Sequence, residues 1–332
     1  MNDNAPSRKR DPSLDAAKGL LILSVVFAHC FTEGILHDFI FSFHMPAFFV
    51  ISGVTAALSK EAEKPFWKTA WKLLCTLGIP YLFFELLGVM QELIRFGFAQ
   101  SWKGFLFNSA TLRCNNIVDW FLGTLLLAKL LSLSIRKLLR KLLTSRRADI
   151  LYAVCSFVGM ITAVLYSGTA PFAIVVLRRV LIANGFLAIG LVLESVLRKK
   201  ALPFGVAALA AAFVCSLLNT EFADLKELHF GLPAVFFGAA LLGSYGTIQL
   251  GKITVCRPLL WLGKNSLIIM GTHIPLLLIF RYITGVTAPT IWQRAIDLIL
   301  ILALEIPIVW CIRRFAPFLI GQNRRFAHES KT

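Results

Sequence analysis

The chain consists of long apolar spans separated by short charged clusters, and that pattern dictates its solvent. Ten spans can be read, with cores near 16–34, 39–58, 70–93, 117–135, 149–167, 176–197, 202–218, 231–249, 264–283 and 293–313. Their lengths cluster around the roughly 20 residues that a helix needs to cross a bilayer. None alternates apolar and polar residues as a barrel strand does, so within lipid they must be helices. Hydrophobic residues are 57% of 332 and charged residues 16%, and the mean hydropathy is +0.74. Soluble domains carry about 25% charge. The expected fold class is therefore an all-α integral membrane protein, a bundle of about ten transmembrane helices.

Charge then orients the bundle. Of 34 basic residues, 25 lie in the N-terminal tail, in alternate loops such as Arg136 to Arg147, and in the C-terminal tail. Eight lie on the opposite side: Arg95, Lys103, Arg113, Arg178, Arg179, Lys226, Arg281 and Arg294. The positive-inside rule places both termini in the cytoplasm, with the protein in the plasma (inner) membrane. The net charge of +16 sits in these clusters, as topology requires, and does not call for nucleic acid. Basic Arg8 to Arg10 before an apolar run resembles a signal peptide, but no small-x-small site follows, so the segment reads as an uncleaved first helix. The expected organisation is a cytoplasmic tail over 1–13, a membrane domain over 14–315 and a second cytoplasmic tail over 316–332. The seven cysteines show no metal-ligand spacing, and no metal site is expected.

Chemistry concentrates between Asp15 and Gly53. The first span reads DAAKGLLILSVVFAHC and the second contains FHMPAFFVISG. Lys18 and His29 are eleven residues apart, about three helical turns, so they share a face some 16 Å apart along the axis. The apolar run between them is too short to span a bilayer, so the helix must carry Lys18 or Asp15 at one end and His29 at the other. Ionisable groups at membrane depth mark functional sites by default. If the first helix ends near Gly34 and the second begins near Phe39, His29 and His44 both lie about 7–8 Å below the outer edge. Two imidazoles at one depth exceed what core filling would supply.

These residues carry a family resemblance. The D-x-x-K-G opening, the Lys18-x10-His29 spacing and the FHMPAFFVISG hairpin resemble the membrane-bound acyltransferase-3 family, in its fucose 4-O-acetylase-like branch. Asp119-Trp120-Phe121-Leu122 at the entry to the fourth span matches further, as does Trp261 to Ser266 leading to His273. The likeness runs from Asp15 to the tenth helix. It implies about ten helices that move an acyl group, usually acetyl from cytoplasmic acetyl-CoA, onto a sugar hydroxyl. Much of the wider family has Arg where this chain has Lys18, and a Lys is a point charge without a bidentate fork.

Acyl transfer to a hydroxyl needs a base for the proton and donors for the developing oxyanion. Neutral histidine suits the first role at neutral pH. The reading assigns His29 as general base, oriented by a carboxylate from Glu33 or, better buried, Glu85. His44 binds the acceptor or relays a second proton. Lys18, with Asp15, serves the donor at the cytoplasmic end, where it holds the thioester carbonyl or a phosphate. Direct transfer and a relay through an acylated His29 both fit. Asp119 and Trp120 are candidates for a sugar platform at the outer surface, with Arg113, Asn115 and Asn116 beside them. His273 lines the pore or fills a kink at Pro275, and Glu305 is buried and needs a partner. Arg178 and Arg179 either snorkel or bind, while His37, His229 and His328 are expected to be solvated. A multi-pass transporter of a small or glycan-linked substrate is the alternative, and a sensor or assembly partner without catalysis is a third.

Overall fold

The computed structural model describes residues 11–96, 108–109, 116, 118–166, 168 and 171–322. Apart from one isolated bridge between Asp224 and His229, regular structure among them is helical. The helices are α1 (Pro12–Cys30), α2 (Ile35–Leu58), α3 (Phe66–Leu73), α4 (Ile79–Phe96), α5 (Trp120–Leu139), α6 (Ser145–Leu165), α7 (Phe172–Val192), α8 (Leu202–Leu218), α9 (Pro233–Gly251), α10 (Arg257–Thr284) and α11 (Ile291–Phe315). Eight candidate spans are long and apolar enough to cross a membrane, with α3 and α4 counted as one. The 17-residue α8 is shorter, and α5 carries Lys129, Arg136 and Lys137. Each of the ten apolar spans thus falls on a helix.

Prolines explain the local irregularities. α3 runs into α4 through a π turn at Leu74–Gly78, where the Pro80 ring crowds the carbonyl one turn back. Pro275 inside α10 withholds the N–H that would satisfy the Gly271 carbonyl. Asn116 Nδ2 donates to that carbonyl instead, at 2.8 Å.

Two boundaries differ from the sequence reading in a way that matters. α1 ends at Cys30 because the chain reverses over residues 31–34, where Gly34 takes a φ of 102° that suits glycine alone. α2 begins at Ile35, four residues earlier than expected. His29 therefore sits in the last turn of α1, while His44 lies nine residues, about 13 Å, into α2. The equal depth expected for the pair does not hold. Similarly, α7 starts at Phe172, which puts Arg178 and Arg179 in its second turn.

Glycines set the packing around the first two helices. A Cβ at Gly19 would strike the Leu259 carbonyl, and one at Gly263 the Asp15 carbonyl, so α1 and α10 touch backbone to backbone. Gly53 against Leu187 and Gly190 against Val50 do the same for α2 and α7. Lipid provides no hydrophobic drive between helices, so close approach through small residues is what holds such pairs together.

Polar contacts sort to two ends. Asp11–Arg198, Arg136 and Arg140 with Asp149, and Arg313 with Asn265 and the Lys264 carbonyl lie at the end that carries the N-terminus of α1. Glu33–Arg294, Arg281–Asp297 and Arg179 with the Lys226 carbonyl lie at the other. This sorting follows the alternation of helix directions that the charge pattern predicts.

Candidate active site

A cavity of about 310 Å³ opens at the end remote from the N-terminus of α1. Its walls come from the last two turns of α1 and Thr32 just after it, the first half of α2, the entry to α5, Met270 of α10 and the loop between α8 and α9. His29, His37 and His44 all line it. The shift in depth between His29 and His44 becomes intelligible here, because the cavity reaches from the short end of α1 some two turns down α2.

The ring geometry gives each imidazole a definite character. His44 is buried, and its Nδ1 lies 2.7 Å from the Ile40 carbonyl. A carbonyl only accepts, so Nδ1 carries the hydrogen and the lone pair of the neutral ring is on Nε2. Its ring stands edge-on to Phe41 with centroids 5.0 Å apart. His29 is half-buried, 6.1 Å from Phe41 and 5.3 Å from the ring of His273. His37, expected in solvent, is instead buried in the first turn of α2. Its Nδ1 lies 2.9 Å from Asp38 Oδ1, and its ring stacks on Phe222 at 5.1 Å. The correction has a simple cause: α2 starts early enough to bring His37, Phe41 and His44 onto one face at i, i+4 and i+7.

The loop over the cavity is fixed by its own hydrogen bonds. Asp224 and His229 exchange backbone bonds at 2.8 and 3.0 Å, and Asp224 Oδ1 accepts from the Lys226 N–H at 2.7 Å. Burial pushes the Asp224 carboxyl above its ordinary range. Asn219 pins the base of the loop, donating to the Phe230 carbonyl and accepting from the Leu232 N–H. From α7, Arg179 Nε donates to the Lys226 carbonyl at 2.7 Å while its guanidinium lies 5.8 Å from the Trp120 ring centre. Arg178 is used locally, bonding the Ala163 carbonyl and covering Tyr166. His229, as expected, is exposed, paired with Glu221.

The other sequence candidates are placed as follows. Trp120 lines the cavity, but Asp119 is fully buried behind it, next to Asn116 and Glu85, rather than on an outer surface. A side chain at the first position of a helix and its neighbour point different ways, which separates the two. Asn116 is committed to the Gly271 carbonyl. Arg113 and Asn115 fall outside the described residues. Neither carboxylate expected to orient His29 is at the cavity wall: Glu33 is 76% exposed and paired with Arg294, and buried Glu85 accepts from Ser109. Glu305 is buried and accepts from Thr272 at 2.7 Å. His273 is fully buried, and its Nδ1 lies 2.7 Å from the Ile269 carbonyl. Lys18 pairs with Asp15 at 2.9 Å, three turns from His29 toward the other end of α1, and does not line the cavity.

Periodicity alone had the means to reveal His37 and Phe41, through their helical spacing with His44. Phe222, Asp224 and Lys226 have no such signal, because a loop 180 residues away folds over the hairpin only in three dimensions.

The arrangement offers two imidazoles beside an aromatic-walled, partly apolar chamber, a setting for proton transfer to or from a bound hydroxyl. The comparisons place this geometry in a family. A sequence profile described as an acyltransferase domain matches residues 11–314, nearly the whole chain and every helix that builds the cavity. No curated protein and no solved structure matches the chain. The chain belongs to the acyltransferase-3 family, and it is a membrane acyltransferase.

Proposed function

We propose that this acyltransferase moves an acetyl group from cytoplasmic acetyl-CoA to a hydroxyl of a sugar or glycan of the cell envelope, in the manner of the fucose 4-O-acetylase-like branch. One observation carries the reading: His29 and His44 line a single chamber whose walls include Phe41, Phe222 and Trp120. Aromatic faces of this kind suit the apolar faces of a sugar ring, and about 310 Å³ lies at the lower end of the usual range for ligand pockets.

In the proposed reaction His29 takes the proton of the acceptor hydroxyl. The oxygen attacks the thioester carbonyl, an ester C–O bond forms, and the C–S bond breaks. The proton then passes from His29 to the leaving thiolate, giving free CoA. His44 presents its Nε2 lone pair to the acceptor, receiving a hydrogen bond from a second hydroxyl. Trp120 supports the sugar.

The donor is assigned to the opposite face. Its polyanionic nucleotide end meets the basic segments that the charge pattern places in the cytoplasm, where opposite charge raises encounter rates. Lys18, held by Asp15, receives the thioester or a phosphate along the pantetheine path. Both termini are taken as cytoplasmic and the membrane as the inner, or plasma, membrane.

The test is mass spectrometry of envelope glycans from cells with and without the protein, combined with transfer of labelled acetyl from acetyl-CoA in isolated membranes. An acetyl ester that depends on the protein and on acetyl-CoA is expected. Purified protein should bind CoA with an affinity that falls as salt rises. Label reaching the acceptor without any acyl-CoA present would remove the donor assignment.

A further inference from the structure

We propose that His273, and not a carboxylate, is the positioning residue that holds His29 in its base form. The inference rests on the proposed role of His29 as general base.

His273 is fully buried in α10. Its Nδ1 faces the Ile269 carbonyl at 2.7 Å, and since a carbonyl only accepts, that nitrogen carries the ring hydrogen. The other nitrogen, Nε2, is left as an acceptor. It is buried, and among the described residues it has no hydrogen-bond partner. An unmade hydrogen bond at a buried polar atom is costly, so such atoms call for an explanation.

The ring packed beside it is His29, with centroids 5.3 Å apart and planes inclined by 44°. Two imidazoles joined by one N–H···N bond of ordinary length have centroids roughly 5 Å apart. The two rings therefore stand at the spacing that bond requires, and it forms when His29 turns a ring nitrogen toward His273 Nε2. The ring has freedom for this, because among the described residues nothing hydrogen-bonds to it and one side faces the cavity. His273 itself is held still. The neighbouring Gly271 carbonyl is bonded by Asn116 at 2.8 Å, and Thr272 is bonded to Glu305 at 2.7 Å.

The consequence is a fixed tautomer. The His29 nitrogen that faces His273 carries the hydrogen and donates it, so the opposite nitrogen turns its lone pair to the cavity. When that nitrogen takes a proton, the resulting imidazolium donates a stronger, charge-assisted bond to His273. The other titratable groups around the chamber are His37 and His44 from α2 and Asp224 and Lys226 from the loop. Asp224 is the carboxylate in that wall, and its Oδ1 is engaged by the Lys226 N–H within the loop at 2.7 Å.

The test compares three variants of the full-length protein in native membranes, using labelled acetyl-CoA as donor and the endogenous envelope glycan as acceptor. His273→Asn keeps an amide where Nδ1 meets Ile269 but puts nothing at the Nε2 position. His273→Gln reaches the Nε2 position with an amide oxygen. His29→Ala is the reference. The expected result is at least about a tenfold loss of kcat for His273→Asn with little change in KM for acetyl-CoA, together with a shifted acid limb of the pH–rate profile. His273→Gln should recover most of the rate. Equal losses in the Asn and Gln variants, or an Asn variant with the wild-type rate and pH profile, would overturn the role of His273. An active His29→Ala would overturn the base assignment itself, whatever the His273 variants do.

Discussion

Both ends of the bundle pair charges within the protein, but the cavity end also leaves imidazole nitrogens open to a chamber. At the end that bears the N-terminus of α1, charges are consumed by protein partners. Arg136 is almost fully buried and grips Asp149 through two nitrogens, at 2.8 and 3.2 Å, with Arg140 on the same carboxylate. Lys129 reaches Glu61 at 2.9 Å, and Lys252 spends its three hydrogens on the carbonyls of Leu197 and Lys199 and on Gln249. At the cavity end, the His44 ring keeps an acceptor nitrogen beyond its bond to Ile40, and His29 makes no hydrogen bond among the described residues. Satisfied charges fix topology and packing. Polar groups left open toward a chamber are able to bind and react, and that contrast separates scaffold from site in a chain where both carry ionisable groups.

The sharpest challenge to the comparison is its sidedness. Reporter fusions after Arg140 and after Lys226 are expected to read cytoplasmic and external, an all-or-none difference; the same compartment for both would erase the distinction between the ends. Next comes His29→Ala, with an expected loss of about 10²–10⁴-fold in acyl transfer and an unchanged melting temperature. A rate within a few-fold of wild type would move the chemistry elsewhere.

Lys18 tests whether one residue of the inner half belongs with the site. Lys18→Ala is expected to weaken acetyl-CoA use roughly tenfold, the scale of a lost charge-assisted hydrogen bond, and Lys18→Arg to retain part of it. KM measured for both, against any single loop lysine changed to alanine, decides the matter. Arg136→Leu should do the reverse of His29→Ala. It is expected to cost about 2 kcal/mol of stability, since Arg140 still serves Asp149, while the specific activity of the folded fraction stays near wild type.

The smallest effect concerns Lys252. Burial, helped by Arg198 and Lys200 and opposed by Asp11, holds its ammonium down to about 8. Its folded value lies below the unfolded one near 10.5. Its contribution to stability is therefore fully present above about 10.5 and is lost as pH falls through about 8. Solvent screening of this half-exposed group keeps the change below about 1 kcal/mol. Melting curves of wild type and Lys252→Met between pH 7 and 10.5 should converge or cross in that window and run parallel below it.

Several features of the fold were legible from residues because they are local or additive. Hydropathy requires helices because lipid satisfies no backbone hydrogen bond, and the 25 basic residues on alternate segments gave the helix directions that the polar contacts follow. The Lys18-x10-His29 spacing and the FHMPAFFVISG hairpin pointed to the family that the profile match shows. The hairpin boundaries were misjudged by four residues, because Phe31 extends the apolar run past Cys30 and His37-Asp38 interrupts it before Phe39, while the first helix stops at Cys30 and Gly34 lets the chain turn. That error misplaced the depth of His44 and left His37 in solvent.

What the sequence determined by itself was the solvent, the all-helical class, the family and the helix that carries His29. Each of these follows from transfer free energies and residue spacing along one segment. What only the tertiary structure decided was the company that His29 keeps. Glu33 was drawn away by Arg294, Glu85 was turned toward Ser109, and His273 arrived from 244 residues down the chain. Those choices depend on which helices can approach backbone to backbone at Gly19, Gly53, Gly190 and Gly263, and a one-dimensional pattern does not say which faces those glycines will meet.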